Sequence, residues 1–357
     1  MDSLTQLTLG AAMGEATLGK KLGGKAALWG AFFGTLPDLD VLAAPLLTGA
    51  QELAFHRGFT HAALVCTVVA PLLAWPLARR YRAAGATWRD WTIFLLLVLN
   101  THWMVDSLTT YGTQVGLPFT DHPFSIGSMF IIDPLYTVPL LLGLLVALCH
   151  PRDHPRRRWS VLLGIGLSTA YVVVGLGLKT HATSVFERAL DEQGISYEQM
   201  ITTPSAFNTL LWFAYVDEGE AVRVGLYSVL DPAPPVAFQR VDKNLDLLEP
   251  LAESPALDRL WWFSRGFLTV SQDGDQLTIH DLRFGRSDAW LTNQGTYIFN
   301  FDLLRDPARP EYIVDVRQRA PGFSGDSIPW RQFAARVFGD PTVAGGVWET
   351  MREGGTP

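Results

Sequence analysis

Four stretches of the first 180 residues leave this chain few ways to fold. Residues 60–78, 91–106, 134–149 and 159–178 are apolar runs close to the length that crosses a lipid bilayer. A span takes about 20 apolar residues, with about 17 near the lower limit. Within lipid the backbone has to satisfy its own polar groups, so such runs are helices. Pro71 and Pro76 inside the first run fit a bundle, where neighbouring helices make good the freed backbone groups. Segments 3–18 and 24–36 are shorter and Gly-rich, and at about 1.5 Å per residue they reach only ~20–24 Å. They are expected to form a helical hairpin turning over Gly19–Gly24. The small residues Gly10, Ala11, Ala12 and Gly14 on one arm, and Gly30, Ala31 and Gly34 on the other, let the two backbones approach closely.

Beyond about Lys179 the character changes. Apolar runs give way to evenly spread charges and short alternating segments: Thr209–Val216, Val222–Leu230, Phe263–Val270, Gln276–Phe284 and Tyr297–Leu303. Their Val, Thr, Tyr and Phe content, with turn residues such as Asp273-Gly274 between them, predicts a mostly antiparallel sheet. The expected fold class is an α-helical membrane bundle of about four spans plus a short N-terminal helical hairpin (residues 1–180), followed by a β-rich soluble domain (residues 181–357). His280, beside Asp281, reads as a strand residue, and the aromatics Trp261-Trp262-Phe263 read as buried in the sheet.

Charge narrows the function class. The net charge is −7, and no Lys/Arg stripe accompanies the aromatics, which argues against a nucleic-acid partner. The two cysteines, Cys66 and Cys149, lie in apolar runs, offer no metal or disulfide motif, and read as buried hydrophobes. The first basic residues follow the first apolar segment, unlike a secretory signal, so the chain's own helices are expected to insert it. If the chain crosses at each segment, the loops at 19–25, 79–90 and 150–158 share one face. They carry Lys20, Lys21, Lys25, Arg79, Arg80, Arg82, Arg89, Arg152, Arg156, Arg157 and Arg158, whereas the opposite loops carry only Arg57. The positive-inside rule puts the basic face in the cytoplasm. A multi-pass inner-membrane protein is expected, with the other face and the C-terminal domain extracytoplasmic.

That other face collects the acids and imidazoles. Pro37-Asp38-Leu39-Asp40 ends the second helix, His56-Arg57-Gly58-Phe59-Thr60-His61 opens the third, His102-Trp103-Met104-Val105-Asp106 ends the fourth, and Asp133-Pro134 opens the fifth. Each has a plain structural reading. His102 and Asp106, four apart on one helix face, would serve to brace a helix end. Asp38 and Asp40 would cap a turn, and Asp133 suits a helix start. His56 and His61, five apart, do not share a helix face. Together these readings strain, because ionisable groups at membrane depth are expensive and functional by default. Imidazole with carboxylate suits Zn²⁺, Mn²⁺ or Fe²⁺. The expectation is two or three divalent ions, zinc first, sharing bridging carboxylates among these groups.

The same segments resemble the YdjM-like family of bacterial inner-membrane, metal-dependent hydrolases. The resemblance rests on Met-Asp-Ser-Leu-Thr-Gln at the start, Lys-Lys-Leu-Gly, Leu-Pro-Asp-Leu-Asp, His-Arg-Gly-Phe-Thr-His, His-Trp-Met-Val-Asp and Ile-Ile-Asp-Pro-Leu-Tyr, over about residues 1–150. Thr203-Pro204, Phe207-Asn208, Leu211-Trp212 and Asp281-Leu282-Arg283 are similar to the extra C-terminal region of some members. More distantly, the Pro-Asp turn, the His-rich segment and the helical HxxxD are similar to the zinc-dependent phospholipase C and single-strand nuclease group. Carried over, the resemblance implies Asp38, Asp40, His56, His61, His102, Asp106 and Asp133 as ligands. Many relatives have Thr-His where this chain has Thr5-Gln6, which removes one ligand, and Asp2 is an uncertain replacement. The implied chemistry is hydrolysis of a phosphoester or lipid-linked substrate by metal-activated water, with the lipid bilayer as surroundings. Asp40 or Asp106 is expected as base and Arg57 as the phosphate-gripping cation. The rival readings are a metal-binding transporter, whose site would lie near the midplane on broken helices, and a structural or regulatory membrane protein. The oligomeric state stays open.

Overall fold

The computed structural model describes residues 1–232, 236–291, 294–319 and 329–343. The chain divides into two compact units, Met1–Ala43 with Phe55–Leu176, and Ala44–Ala54 with Gly177–Pro357.

The first unit is helical. Helices α1 (Ser3–Leu22) and α2 (Gly24–Thr35) form the expected hairpin, but α1 runs through Lys20 and Lys21 and only Gly23 breaks it. Gly23 sits at φ 59°, a left-handed backbone that glycine adopts without a Cβ penalty. The glycines set the spacing of the two helices. A Cβ built on Gly10 would lie 2.2 Å from the Gly30 carbonyl oxygen, and one on Gly14 the same distance from that of Ala26. No side chain fits there, so a Gly10→Ala change would push the helices apart.

The stretch 37–61 is compact rather than an open loop. A 3₁₀ segment covers Pro37–Leu46, α3 covers Gly49–Phe55, and a 3₁₀ turn covers Phe59–His61. Residues of α3 belong to the second unit, where Gly49 and Ala50 donate their backbone N–H groups to Asp315 at 3.1 Å each. Next come α4 (Ala63–Arg80) and α5 (Trp88–Ser107), the latter opened by a capping box between Thr87 and Asp90. Helices α6 (Pro134–Leu148) and α7 (Pro155–Glu192) complete the set, α6 starting with Pro at its first position as that residue's fixed φ favours. Among the described residues two helices, α4 and α7, are long and apolar enough to cross a membrane, and α6 is a shorter apolar helix. Helix α5 has the length but buries a stripe at Trp91, Phe94, Leu95, Val98, His102, Val105 and Asp106. Cys66 is buried as expected, whereas Cys149 is exposed at the end of α6.

The second unit is built on two four-stranded antiparallel meanders. The first joins β1 (Gln199–Pro204), β2 (Leu211–Asp217), β3 (Ala221–Ser228) and β4 (Phe238–Asp242) in that order. The second joins β5 (Leu268–Asp273), β6 (Gln276–Arg286), β7 (Tyr297–Asp306) and β8 (Arg309–Arg319). Its core gathers Leu211, Phe213, Tyr215, Val222, Phe267 and Leu282. One expected strand is corrected: Phe263 lies on helix α8 (Pro255–Ser264), capped by Ser254 with Pro255 at its first turn. Trp261 on that helix is exposed while Phe263 packs edge-on against Phe301, so the aromatics are a helix face rather than a strand. A further helix, α9, spans Trp330–Val337.

Candidate metal centre

The buried stripe of α5 delivers His102 and Asp106 to the same end of the helical unit as the turns at 38–40 and 56–61. Asp38, His61, His102 and Asp106 each present one donor atom there, all within 4.8 Å of one another. His61 Nε2 and His102 Nε2 stand 3.0 Å apart. Asp38 Oδ1 lies 3.3 Å from the first and 3.4 Å from the second, and Asp106 Oδ2 lies 3.3 Å and 3.8 Å from them. A tetrahedral ion with 2.0–2.1 Å bonds holds its ligand atoms about 3.3 Å apart.

The hydrogen bonds behind the ligands decide what the centre can hold. His102 Nδ1 lies 2.7 Å from the Gly34 carbonyl oxygen, which only accepts, so the ring proton sits on Nδ1. The Thr60 hydroxyl donates to Asp40 at 3.0 Å and is free to accept from His61 Nδ1 at 2.9 Å. Both imidazoles are thus arranged to turn a bare Nε2 lone pair toward the other. Two lone pairs and two carboxylate oxygens meet with no proton assigned between them. Such a knot is repulsive until a cation enters it, which is the arrangement of histidine ligands oriented from behind. Burial opposes charge on His61, but Asp106 and Asp38 outweigh it and raise its pKa, so a proton on His61 is the competitor of a metal ion.

Asp106 is held from its other side. Gln6 Nε2 donates to Oδ1 at 2.9 Å, and the Met1 amino group also pairs with that oxygen. Oδ2 is left buried with no hydrogen bond, with Arg57 Nε 3.3 Å away at poor geometry, and Gln6 Oε1 is likewise buried without a partner. Gln6 therefore stands in the site as a support for Asp106, a role that only the fold reveals.

The other expected residues fall around this core. Asp40 accepts from His56 Nδ1 at 2.9 Å, the Arg57 backbone N–H at 3.0 Å and the Thr60 hydroxyl. Burial would raise its pKa, but the His56 bond and its other partners hold it down. Its oxygens are engaged in fixing the 56–61 turn, and His56 reaches Asp40 rather than the four-residue group. Arg57 is buried at φ 58°, with its guanidinium over the Tyr111 ring and Nη1 3.3 Å from the Thr109 hydroxyl. Asp133 caps α6 at the Leu135 N–H and accepts from Tyr171 at 2.8 Å, away from the four. Asp2 caps α1 at the Thr5 N–H. His280 lies on β6, bonded to Ser271 and Asn300. Of the four core residues, His61, His102 and Asp106 are fully buried, and only Asp38, with its side chain 20% exposed, meets solvent.

A profile of the family described as YdjM inner membrane protein matches residues 1–182, about half of the chain. Inner membrane protein YbcI of Escherichia coli (strain K12) is 40% identical over 97 residues, which cover 27% of this chain and 54% of that protein. The chain thus spans about half the length of the curated relative it matches. No solved structure matches.

Proposed function

We propose that this chain, which belongs to the YdjM inner membrane protein family, is a metal-dependent hydrolase with a single divalent ion, zinc first, held by Asp38, His61, His102 and Asp106. The observation that carries the reading is the two imidazole Nε2 atoms facing each other at 3.0 Å between two carboxylates. Three of the donors are sealed in the protein and the fourth is at the solvent edge, which leaves one side on which substrate can meet the centre. A bound ion supplies Lewis acidity and brings the pKa of a coordinated water to about 7.

The chain's own groups do the rest. Gly34 and Thr60 keep both ring protons on Nδ1, and Gln6 and Arg57 keep Asp106 ionised and aimed. Asp38, the donor at the solvent edge, is the ligand beside which substrate would enter. Arg57 is spent on Asp106, so its part is to orient that ligand rather than to reach out for phosphate. The positive-inside rule favours the extracytoplasmic side for the centre, because the basic loops lie at the other ends of the helices. A phosphoester or lipid-linked substrate suits a centre at the boundary of the bilayer.

Hydrolysis of bis(p-nitrophenyl) phosphate and of p-nitrophenyl acetate by detergent-purified protein tests this, with Asp38→Asn and His102→Ala alongside. Turnover of either ester that disappears on chelation and in both variants is expected. Metal-loaded protein inert toward both, with no water on the ion by X-ray absorption, would support a second reading instead. Four protein donors at tetrahedral spacing also fit a closed structural clamp.

A further inference from the structure

At the far end of α4 and α5 from the metal centre, the short connection between them borders an open, shallow cleft of about 330 Å³. Trp75 and Arg79 of α4, Arg82 of the turn, and Thr87 and Trp88 at the start of α5 line it. Both tryptophans are about half exposed. The Arg79 guanidinium lies flat over Trp75, 3.7 Å from its centroid, and the Trp88 indole N–H donates to the Pro71 carbonyl at 2.9 Å. The two rings are thus fixed as walls, with the arginine heads beside them. Among the described residues neither Arg79 nor Arg82 has an ion pair, and the nearest acid in sequence, Asp90, is bound to Lys21 at 2.5 Å and to the α5 cap. The cleft therefore has positive charge with no internal counter-ion.

A stripe of exposed apolar residues leads into it. Leu64, Val68, Leu72, Trp75 and Arg79 recur at intervals of three and four along α4, one face of the helix, and the first four are 45–66% exposed. The stripe is about 22 Å long, more than half of the ~30 Å hydrocarbon thickness. Soluble phosphate would have no use for it. An amphiphile with an anionic head and fatty chains would use both parts, and Trp at the interface with Arg beyond it is how helices meet a headgroup layer.

We propose that this cleft binds the headgroup phosphate of an anionic phospholipid, with its chains lying along the Leu64–Leu72 face of α4. The site is independent of the metal centre, since it lies at the opposite ends of the two helices. Arg79 and Arg82 grip the phosphate and the two indoles fix its depth.

Tryptophan quenching by dibrominated phosphatidylglycerol, compared with dibrominated phosphatidylcholine, on the full chain in neutral detergent gives the test. Half-quenching is expected at about tenfold lower phosphatidylglycerol than phosphatidylcholine. Arg79→Gln/Arg82→Gln is expected to erase that difference and His61→Ala to keep it. Equal response to the two lipids, a preference that survives in the double variant, or displacement of the lipid by millimolar inorganic phosphate would each overturn the proposal. If the double variant does not fold, salt serves in its place. A preference lost at about 1 M salt supports the site, and one insensitive to salt counts against it.

Discussion

Asp281 and Asp106 are both buried beside an arginine, and the two places are built on opposite logic. On β6, Asp281 and Arg283 are both sealed from solvent, and both carboxylate oxygens of Asp281 are met by donors of Arg283. Arg283 Nε donates to Oδ1 at 2.9 Å, Nη2 donates to Oδ2 at 2.5 Å, and the Arg283 backbone N–H donates to Oδ1 at 3.0 Å. Phe263 and Phe284 sandwich the guanidinium. Burial pushes the Asp281 pKa up and the arginine pulls against it, but every oxygen has a donor. Around Asp106 the acceptors outnumber the protons. Oδ2 has no hydrogen bond, two imidazole lone pairs point at each other, and Asp38 adds another acceptor. A buried carboxylate whose oxygens are all met by donors is architecture, whereas one left short of donors is a place for a cation.

That contrast is broken or sharpened by four variants and one change of conditions. The largest effect belongs to His61→Ala, which is expected to take bound metal from near one per chain to background by elemental analysis. Metal retained at wild-type level would show that the four donors do not form one centre. Asp281→Asn is expected to destabilise the second unit by about 3–5 kcal/mol in denaturant titrations while leaving the metal content unchanged. Replacing both partners, as Asp281→Leu/Arg283→Met, is expected to restore most of that stability, because the pair then leaves no orphaned charge.

Asp40→Asn acts on the centre from behind His61, through the 56–61 turn that Asp40 holds at His56, Arg57 and Thr60, and is expected to weaken metal affinity by about 10–100-fold without abolishing it. A competition titration against a zinc chelator measures this. The smallest effect is a pH dependence of opposite sign in the two states of the protein. His61 has its pKa raised in the metal-free state, so its contribution to stability is full below its ordinary pKa and is lost as pH rises through the raised value. The metal-loaded state needs His61 neutral, so metal affinity falls as pH drops through that raised value. Melting curves with and without chelator between about pH 5 and 8 should therefore draw together at the acid end, and parallel curves would contradict the assignment.

Much of this was legible in the chain. The spacing of His102 and Asp106 on α5, and the placing of acids and histidines at the ends of apolar segments, already bring three polar motifs to one end of a helical unit. Adjacent carboxylates were harder to separate. Asp38 and Asp40 are two apart in a 3₁₀ segment, and only the fold shows one facing the imidazoles and the other fixing the 56–61 turn. Asp133 carries a helix-start signature, and as the cap of α6 it has no share in the centre. Helix α8 hid behind β-forming aromatics, although Ser254 and Pro255 mark its start and Ala256, Leu260 and Phe263 repeat at helical spacing. The coupling of α3 to Asp315 had no local signal, because it joins residues more than 260 apart.

X-ray absorption at the zinc edge on purified, reconstituted protein tests the central claim most directly. One ion per chain is predicted, bound by two imidazole nitrogens with oxygen completing the shell. A second metal at about 3.5–4 Å, a shell without the two imidazoles, or no ion after reconstitution would contradict it.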